Sequence, residues 1–199
     1  MPLRHLVALF SLAVLAAPAL RAEDPPPEAP KRHFHWSTRN DGTFAWQAQL
    51  NLPAKELGQA LDDRSGLGLG VQWNHDRKHG HVARTRIEWN VFPEGHPVGL
   101  GAVRTKASNY VLSFDRLYHF SGEVKGAYVL GGLGAVRWFT DRTAGPGPTR
   151  SDHATKLGVT AGAGYRFNQA FSLEARYLLS NVSPNFDGNM LQAAVNLRF

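Results

Sequence analysis

Apolar residues recur at every second position along the last nine residues of the chain. Counting back from the final position, the residues between them are Arg198, Asn196, Ala194 and Gln192. A period of two predicts a β-strand with one apolar face and one mostly polar face. The apolar face carries Leu191, Ala193, Val195, Leu197 and Phe199.

The same period recurs seven more times along the chain. The predicted strands cover about residues 43–52, 66–75, 82–92, 108–119, 123–139, 154–167, 171–181 and 190–199. The fifth strand is rich in glycine, and we predict its phase by keeping Lys125 and Arg137 together on the polar face. The apolar face of that strand then carries Tyr128, Leu130, Val136 and Trp138.

The predicted connections alternate between long and short. The long ones are 53–65, 93–107, 140–153 and 182–189, and the short ones are 76–81, 120–122 and 168–170. This alternation is typical of a membrane barrel with short periplasmic turns and longer external loops. The predicted fold class is therefore all-β, an eight-stranded antiparallel up-and-down transmembrane β-barrel. A soluble exported β-barrel or sandwich, with its apolar faces pointing inward, is the alternative.

Aromatic residues concentrate at the predicted strand ends, where a membrane barrel carries aromatic girdles. The girdle nearest the long loops is predicted to contain Trp89, Tyr110 and Trp138. The girdle nearest the short turns is predicted to contain Phe44, Trp73, Tyr118, Tyr165, Phe167, Phe171 and Phe199.

The first residues predict export. Arg4 and His5 precede an apolar run, and small residues lead to a cleavage site after Ala22, so residues 1–22 are predicted to be a signal peptide. Residues 23–40 are predicted to be a proline-rich periplasmic leader, and residues 41–199 the barrel domain. Cleavage would remove two arginines and no acidic residue, which lowers the net charge from +6 to about +4. A basic balance favours anionic lipid surfaces, and export excludes nucleic acid as a partner.

The strand pattern, the loop pattern and the terminal Val195-Asn-Leu-Arg-Phe199 resemble the small outer-membrane barrels typified by the OmpA transmembrane domain, OmpX and the opacity-type surface proteins. The resemblance covers residues 41–199, and its most specific parts are Ser172-Leu-Glu-Ala-Arg-Tyr177 and the terminal phenylalanine. It implies a monomer in the outer membrane of a Gram-negative bacterium, with a structural or surface-interaction role. The implied partners are outer-membrane lipid, lipopolysaccharide and the barrel assembly machinery. That machinery would read residues 191–199, with an assembly signal of Leu191, Ala193, Val195, Leu197 and Phe199.

Charged residues on the polar strand faces would point into the barrel. Eight strands leave an interior that side chains fill, and an isolated buried charge is costly, so these charges are expected to pair. We predict a filled lumen with no open pore, and a narrow gated pore is the alternative. The predicted charge network consists of Arg84, Arg86, Glu88, Asp115, Lys125, Arg166, Glu174, Arg176 and Arg198.

A catalytic role would require a nucleophile with an activating base. The segment 178–182 superficially resembles the His-x-Ser-Asn motif of lipid A deacylase barrels, but Leu178 stands in place of the histidine and leaves Ser180 without a base. A second grouping, His119 with Ser121 and Glu123, is predicted to lie at a periplasmic turn. We therefore expect no enzyme activity, and a lipid A-modifying, deacylase-like barrel is the alternative.

No cofactor or metal is expected. Two histidine groups are interpreted as solvated segments rather than metal sites, and the glycine runs 66–70 and 131–134 lie inside strands, where no helix follows to make a nucleotide loop. The chain has no cysteine, which excludes disulfides and thiolate ligands. The histidine groups are His33 with His35, and His75 with His79 and His81.

Overall fold

The computed structural model describes residues 42–76, 79–96, 103–122, 124–183 and 186–199. The predicted signal peptide and leader lie outside these residues. In the described part, the chain forms one short helix, α1 (Lys55–Ala60), and nine strands: β1 (Gly42–Pro53), β2 (Gly66–Asp76), β3 (His81–Gly95), β4 (Val103–His119), β5 (Gly126–Ala144), β6 (Thr149–Arg166), β7 (Phe171–Ser183), β8 (Phe186–Asp187) and β9 (Met190–Arg198).

Eight of these strands form a closed antiparallel barrel. Each strand from β1 to β7 pairs with the next along the chain, and β9 then pairs with both β7 and β1. The two-residue strand β8 pairs only with β7. The predicted fold class is confirmed, with β8 as an addition. Separately, no helix in the described residues is long and apolar enough to cross a membrane.

The outer wall of the barrel is apolar. Leu67 is 70% exposed and Leu157 is 71% exposed, whereas Asn90 on an inward face is fully buried. This arrangement reverses that of a soluble protein and fits a wall that faces lipid. In the seven strands of the barrel other than β5, the alternate apolar residues point outward, as the period of two predicts for a membrane barrel. The alternative with inward-pointing apolar faces is wrong.

The phase predicted for the fifth strand is also wrong. Val129 and Leu133 point outward, and the four residues predicted to face outward lie buried in the lumen: Tyr128, Leu130, Val136 and Trp138. The misleading residue was Arg137, which points outward at the loop end of β5 with its guanidinium 5.4 Å from the ring centroid of Phe139. Both faces of this strand carry apolar residues, so the alternation alone does not define its phase.

We call the two ends of the barrel the loop end, which carries the long connections, and the turn end, which carries residues 79–80, 120–122, 124–125 and 167–170. Strands β4, β5 and β6 extend further toward the loop end than predicted. Most of the predicted loop 140–153 is therefore a hairpin that turns at residues 145–148. The predicted loop 53–65 contains α1. Strand extensions outside lipid meet water on both faces, which removes the alternation that predicts them.

Aromatic rings mark both ends of the outer wall. At the loop end, Tyr110 stacks on Trp89 at 6.3 Å and meets Phe139 edge-on at 6.0 Å. Phe139 takes the place predicted for Trp138. At the turn end, Phe44 stacks on Trp73 at 5.7 Å. The other rings predicted for this girdle also lie at the turn end, together with Phe120: Tyr118, Tyr165, Phe167, Phe171 and Phe199.

Candidate functional site

The centre of the lumen holds six charged side chains, which we call the ionic cluster. Each lies on the inward face of its strand, and each is 3% exposed or less. The strand pattern explains their meeting, because alternate residues of every strand point to the barrel axis. The cluster consists of Arg84, Arg86, Glu88, Asp115, Glu174 and Arg176.

Glu174 is the most highly connected member of the cluster. Arg84 binds it through both terminal nitrogens, at 2.7 Å from Nη1 to Oε2 and 3.1 Å from Nη2 to Oε1. The Nη1 atom of Arg176 donates to Glu174 Oε1 at 2.8 Å, and the Tyr128 hydroxyl donates to Oε2 at 3.1 Å. A fork of two parallel bonds between guanidinium and carboxylate is the strong geometry for such a pair.

The remaining contacts complete a neutral network. Asp115 lies 2.9 Å from Arg84 Nη2 and 2.9 Å from Arg86 Nη1. Glu88 lies 2.6 Å from Arg86 Nε and also contacts Arg176. Three arginines face three carboxylates, so the cluster carries no net charge. Charge balance is what makes burial of six ions tolerable.

Three residues of the predicted charge network lie elsewhere. Arg166 is buried toward the turn end, where its Nη1 donates to the carbonyl of Val124 at 3.0 Å. Arg198 is half-buried at the last position of β9. Lys125 is exposed, because β5 begins one residue after it, and its assignment to the lumen is wrong.

A layer of amide side chains lies against the ionic cluster on its loop-end side. Gln47 donates to Glu88 at 2.9 Å, and Arg176 Nε donates to Gln192 at 2.7 Å. Gln192 donates in turn to Asn51 at 2.9 Å. Asn90 belongs to the same layer. Sequence reasoning missed this layer, although the polar faces of the first and last strands already carried the amides.

Glycines in the inward face provide room for these large side chains. A Cβ atom at Gly68 would lie 2.7 Å from Gln49 Cγ, and one at Gly158 would lie 2.7 Å from Val136 Cγ2. Both distances are closer than packed carbon atoms allow. The glycine content of the central strands is therefore a packing requirement of the filled lumen.

An apolar plug closes the lumen at the loop end. Leu57 of α1 and Leu61, which follows it, are buried against residues that project inward from the strands. A contact with β8 fixes the position of the helix, because Glu56 Oε2 accepts the backbone N–H of Asp187 at 2.7 Å. Other members of the plug are Phe92, Ala107, Val111, Val136, Trp138, Leu178 and Met190.

A second apolar group closes the turn end. Val82, Leu117, Tyr128 and Leu130 pack together there. The His119 ring lies 4.8 Å from that of Tyr128, and its Nδ1 is 3.1 Å from the Gly80 carbonyl oxygen. From the loop end to the turn end, the lumen is therefore filled by the apolar plug, the amide layer, the ionic cluster and the second apolar group.

The residues considered for catalysis take structural positions. Ser180 Oγ accepts a hydrogen bond from Trp138 Nε1 at 3.1 Å, and Leu178 is buried in the plug. Ser121 donates to the carbonyl of Lys125 at 2.7 Å. Glu123 lies outside the described residues.

The predicted histidine groups do not assemble a metal site in the part of the chain that the structure describes. His75 packs against Trp73 at 4.4 Å and His81 packs against Tyr118 at 5.1 Å. His33 and His35 lie outside the described residues.

A closed antiparallel barrel with an apolar outer wall, two aromatic girdles and a filled interior defines a small membrane-spanning β-barrel. The sequence matches the family described as "Outer membrane protein beta-barrel domain" over residues 7–199. The chain therefore belongs to the outer-membrane β-barrel domain family.

Solved structures agree with the family. The attachment invasion locus protein Ail of Yersinia pestis aligns with a TM-score of 0.60 at 15% identity, over 81% of this chain and 100% of Ail. Ail in complex with the heparin analogue sucrose octasulfate gives 0.59 at 14% identity, with the same coverage. The N-terminal β-barrel of Pseudomonas aeruginosa OprF gives 0.52 at 14% identity, over 80% of this chain and 98% of OprF. At such identities the likeness establishes the fold. Among curated proteins, no sequence matches the chain.

The ionic cluster generates the first testable prediction. Glu174→Gln should lower the free energy of unfolding in lipid vesicles by about 3–5 kcal/mol, because it leaves two buried arginines short of a counter-charge. The matched control is Glu94→Gln, whose partners Lys106 and Arg104 lie at 3.4 and 3.7 Å on the exposed loop-end rim. That change should cost less than about 1 kcal/mol. Equal losses for the two variants, measured by urea titration, would contradict the role assigned to the cluster.

Proposed function

We propose that the protein is a monomeric integral protein of the outer membrane, with a side-chain-filled lumen, no open pore and no catalytic activity. Its role is structural or surface-interactive. The observation that carries this proposal is the continuous filling of the lumen from Leu57 at the loop end to Leu130 at the turn end. An ion passing through would have to displace the neutral ionic cluster, whose members would then lose their partners.

A conductance measurement tests the closed lumen. The folded protein in planar lipid bilayers should give no stepwise current. Leu57→Ala, which thins the plug, should also stay closed because the ionic cluster lies beneath it. A porin inserted in the same bilayer serves as the positive control. Stable openings of the wild-type protein would favour the gated pore instead.

The support for a surface role is the sheet that extends past the loop-end girdle. Its strands β4, β5 and β6 remain paired up to Val103, Ala144 and Thr149. Strand β6 pairs with β7 only from Gly158 onward. Among the described residues, the segment 149–157 therefore has a paired strand on one side only. An unpaired strand edge can bind another protein by strand addition.

Shortening this hairpin tests the surface role. Phe139 and His153 are register partners, so an Asn-Gly turn can join them directly and remove residues 140–152. Cells that display the wild-type protein should adhere to epithelial monolayers more than vector-only cells, and the shortened variant should fall to the vector-only level. Heat-modifiable migration on gels checks that the shortened barrel still folds. If the shortened variant adheres as well as the wild type, the extended sheet does not carry the surface role.

Lipopolysaccharide is the proposed lipid partner at the loop end. Arg104, Lys106 and Arg137 are exposed on the outward side of that end, where their charges favour lipid phosphates. The carboxylates Glu94, Asp141, Asp152 and Asp187 share the loop end. This mixed charge gives no reason to transfer the sulfated ligand of Ail to this chain.

The terminal strand is proposed to carry the signal for the barrel assembly machinery. Phe199 donates its backbone N–H to the carbonyl of Phe44 at 3.2 Å, and its ring stacks on Trp46 at 6.5 Å. Its side chain is 75% exposed at the turn end, where an assembly factor could bind it. The other proposed members of this signal are Leu191, Ala193, Val195 and Leu197.

Deletion of Phe199 should reduce the amount of assembled barrel severalfold and leave export intact, because the folded structure depends little on so exposed a ring. The measurement is heat-modifiable migration of the outer-membrane fraction. Phe120→Ala is the matched control, since this ring is 62% exposed at the same end and packs on Tyr118 at 5.7 Å. Equal assembly of the two variants would refute the signal.

A further inference from the structure

One arginine stands alone on the lipid-facing wall. Arg116 is exposed on the outward face of β4, between Phe114 and Tyr118. Among the described residues, it is the only acidic, lysine or arginine side chain that points outward between the two girdles. The structure gives it no ion pair or side-chain hydrogen bond with any of these residues.

The wall is indented beside this arginine. Across the sheet, Ala83 of β3 and Gly131 of β5 are its register partners on either side. These small residues leave a depression of about 810 Å³ that extends to His75 in one direction and Val159 in the other. Phe114 and Leu133 also line the depression.

An arginine in contact with hydrocarbon requires an anion or water for its charge. On the lipid face of a barrel, its cost falls from about 2–4 kcal/mol at the midplane to nearly zero at the interface. Arg116 lies two residues from the girdle residue Tyr118, which is about 7 Å of strand. A long side chain can cover that distance and place its guanidinium among lipid headgroups. The groups available there are phosphates.

We propose that Arg116 and the depression beside it form a binding site for one phospholipid of the periplasmic leaflet. The guanidinium pairs with the phosphodiester of the headgroup, for which its planar donors are suited. One acyl chain lies over Gly131, beside Phe114 and Leu133. The turn end faces the periplasm in barrels of this kind, which makes a phospholipid the lipid in reach.

Native mass spectrometry tests this site. The whole protein would be released from dodecyl maltoside micelles that contain dioleoylphosphatidylglycerol, and the fraction that retains one lipid would be measured. Arg116→Gln should reduce that fraction about fivefold through loss of the phosphate contact. Gly131→Leu should reduce it similarly by filling the depression. A side chain fits at this position, because the nearest atom to a Cβ there is the Thr160 carbonyl oxygen at 3.9 Å.

The matched control is Arg64→Gln, which removes an exposed arginine at the loop end, 3.9 Å from Asp62, and should retain lipid as the wild type does. Heat-modifiable migration verifies that each variant is folded, and Gly131→Ala replaces Gly131→Leu if the larger side chain prevents folding. Undiminished retention by Arg116→Gln would overturn the proposal. If Arg116→Gln lowers lipid retention and Gly131→Leu does not, the arginine binds a headgroup at the interface and the depression does not bind an acyl chain. Displacement of the lipid by inorganic phosphate would show an anion site instead of a lipid site.

Discussion

The interior of this barrel is organised by the need to neutralise six buried charges. Lipid surrounds the wall, so ionisable groups on the inward faces find their counter-charges among one another, and three arginines meet three carboxylates. The amide layer follows from this requirement, because guanidinium and carboxylate groups have more hydrogen-bonding positions than their ion pairs occupy. The inward glycines follow as well, since the side chains of Asp115 and Gln49 leave no room for a Cβ atom at Gly132 and Gly68.

The apolar groups at the two ends have an electrostatic consequence. They separate the ionic cluster from water, which strengthens each ion pair but also raises the penalty for any charge left without a partner. The plug at the loop end depends on α1, and this helix has only six residues and no side-chain cap. Its position is fixed instead by contacts outside it, from Glu56 and Lys55 to Asp187. A loop segment thereby contributes to the electrostatics of the lumen.

Alternation along single strands was enough to predict the fold and most of the wall, because lipid enforces the period on the outward face. It failed for β5, where Leu130 and Val136 face an apolar part of the lumen and Leu133 faces lipid, so both sides look alike. It also failed for α1, which is too short to show a helical period. The pattern placed the six charges of the cluster on inward faces, but it wrongly added Lys125 and did not give their pairing. Glu174 and Arg84 are 90 positions apart and meet only because the barrel closes.

Asp115 and Arg116 show how strictly the strand separates two environments. They are neighbours on β4, yet one side chain enters the ionic cluster and the other points to lipid. The pleat prevents Arg116 from reaching the carboxylates behind it, so the lumen cannot supply its counter-charge. The ionic cluster already pairs its three carboxylates with three arginines, so it offers no free carboxylate to Arg116. A cation that the protein holds on its lipid face without a partner therefore indicates a partner in the membrane, and the small register neighbours of Arg116 provide the space for one.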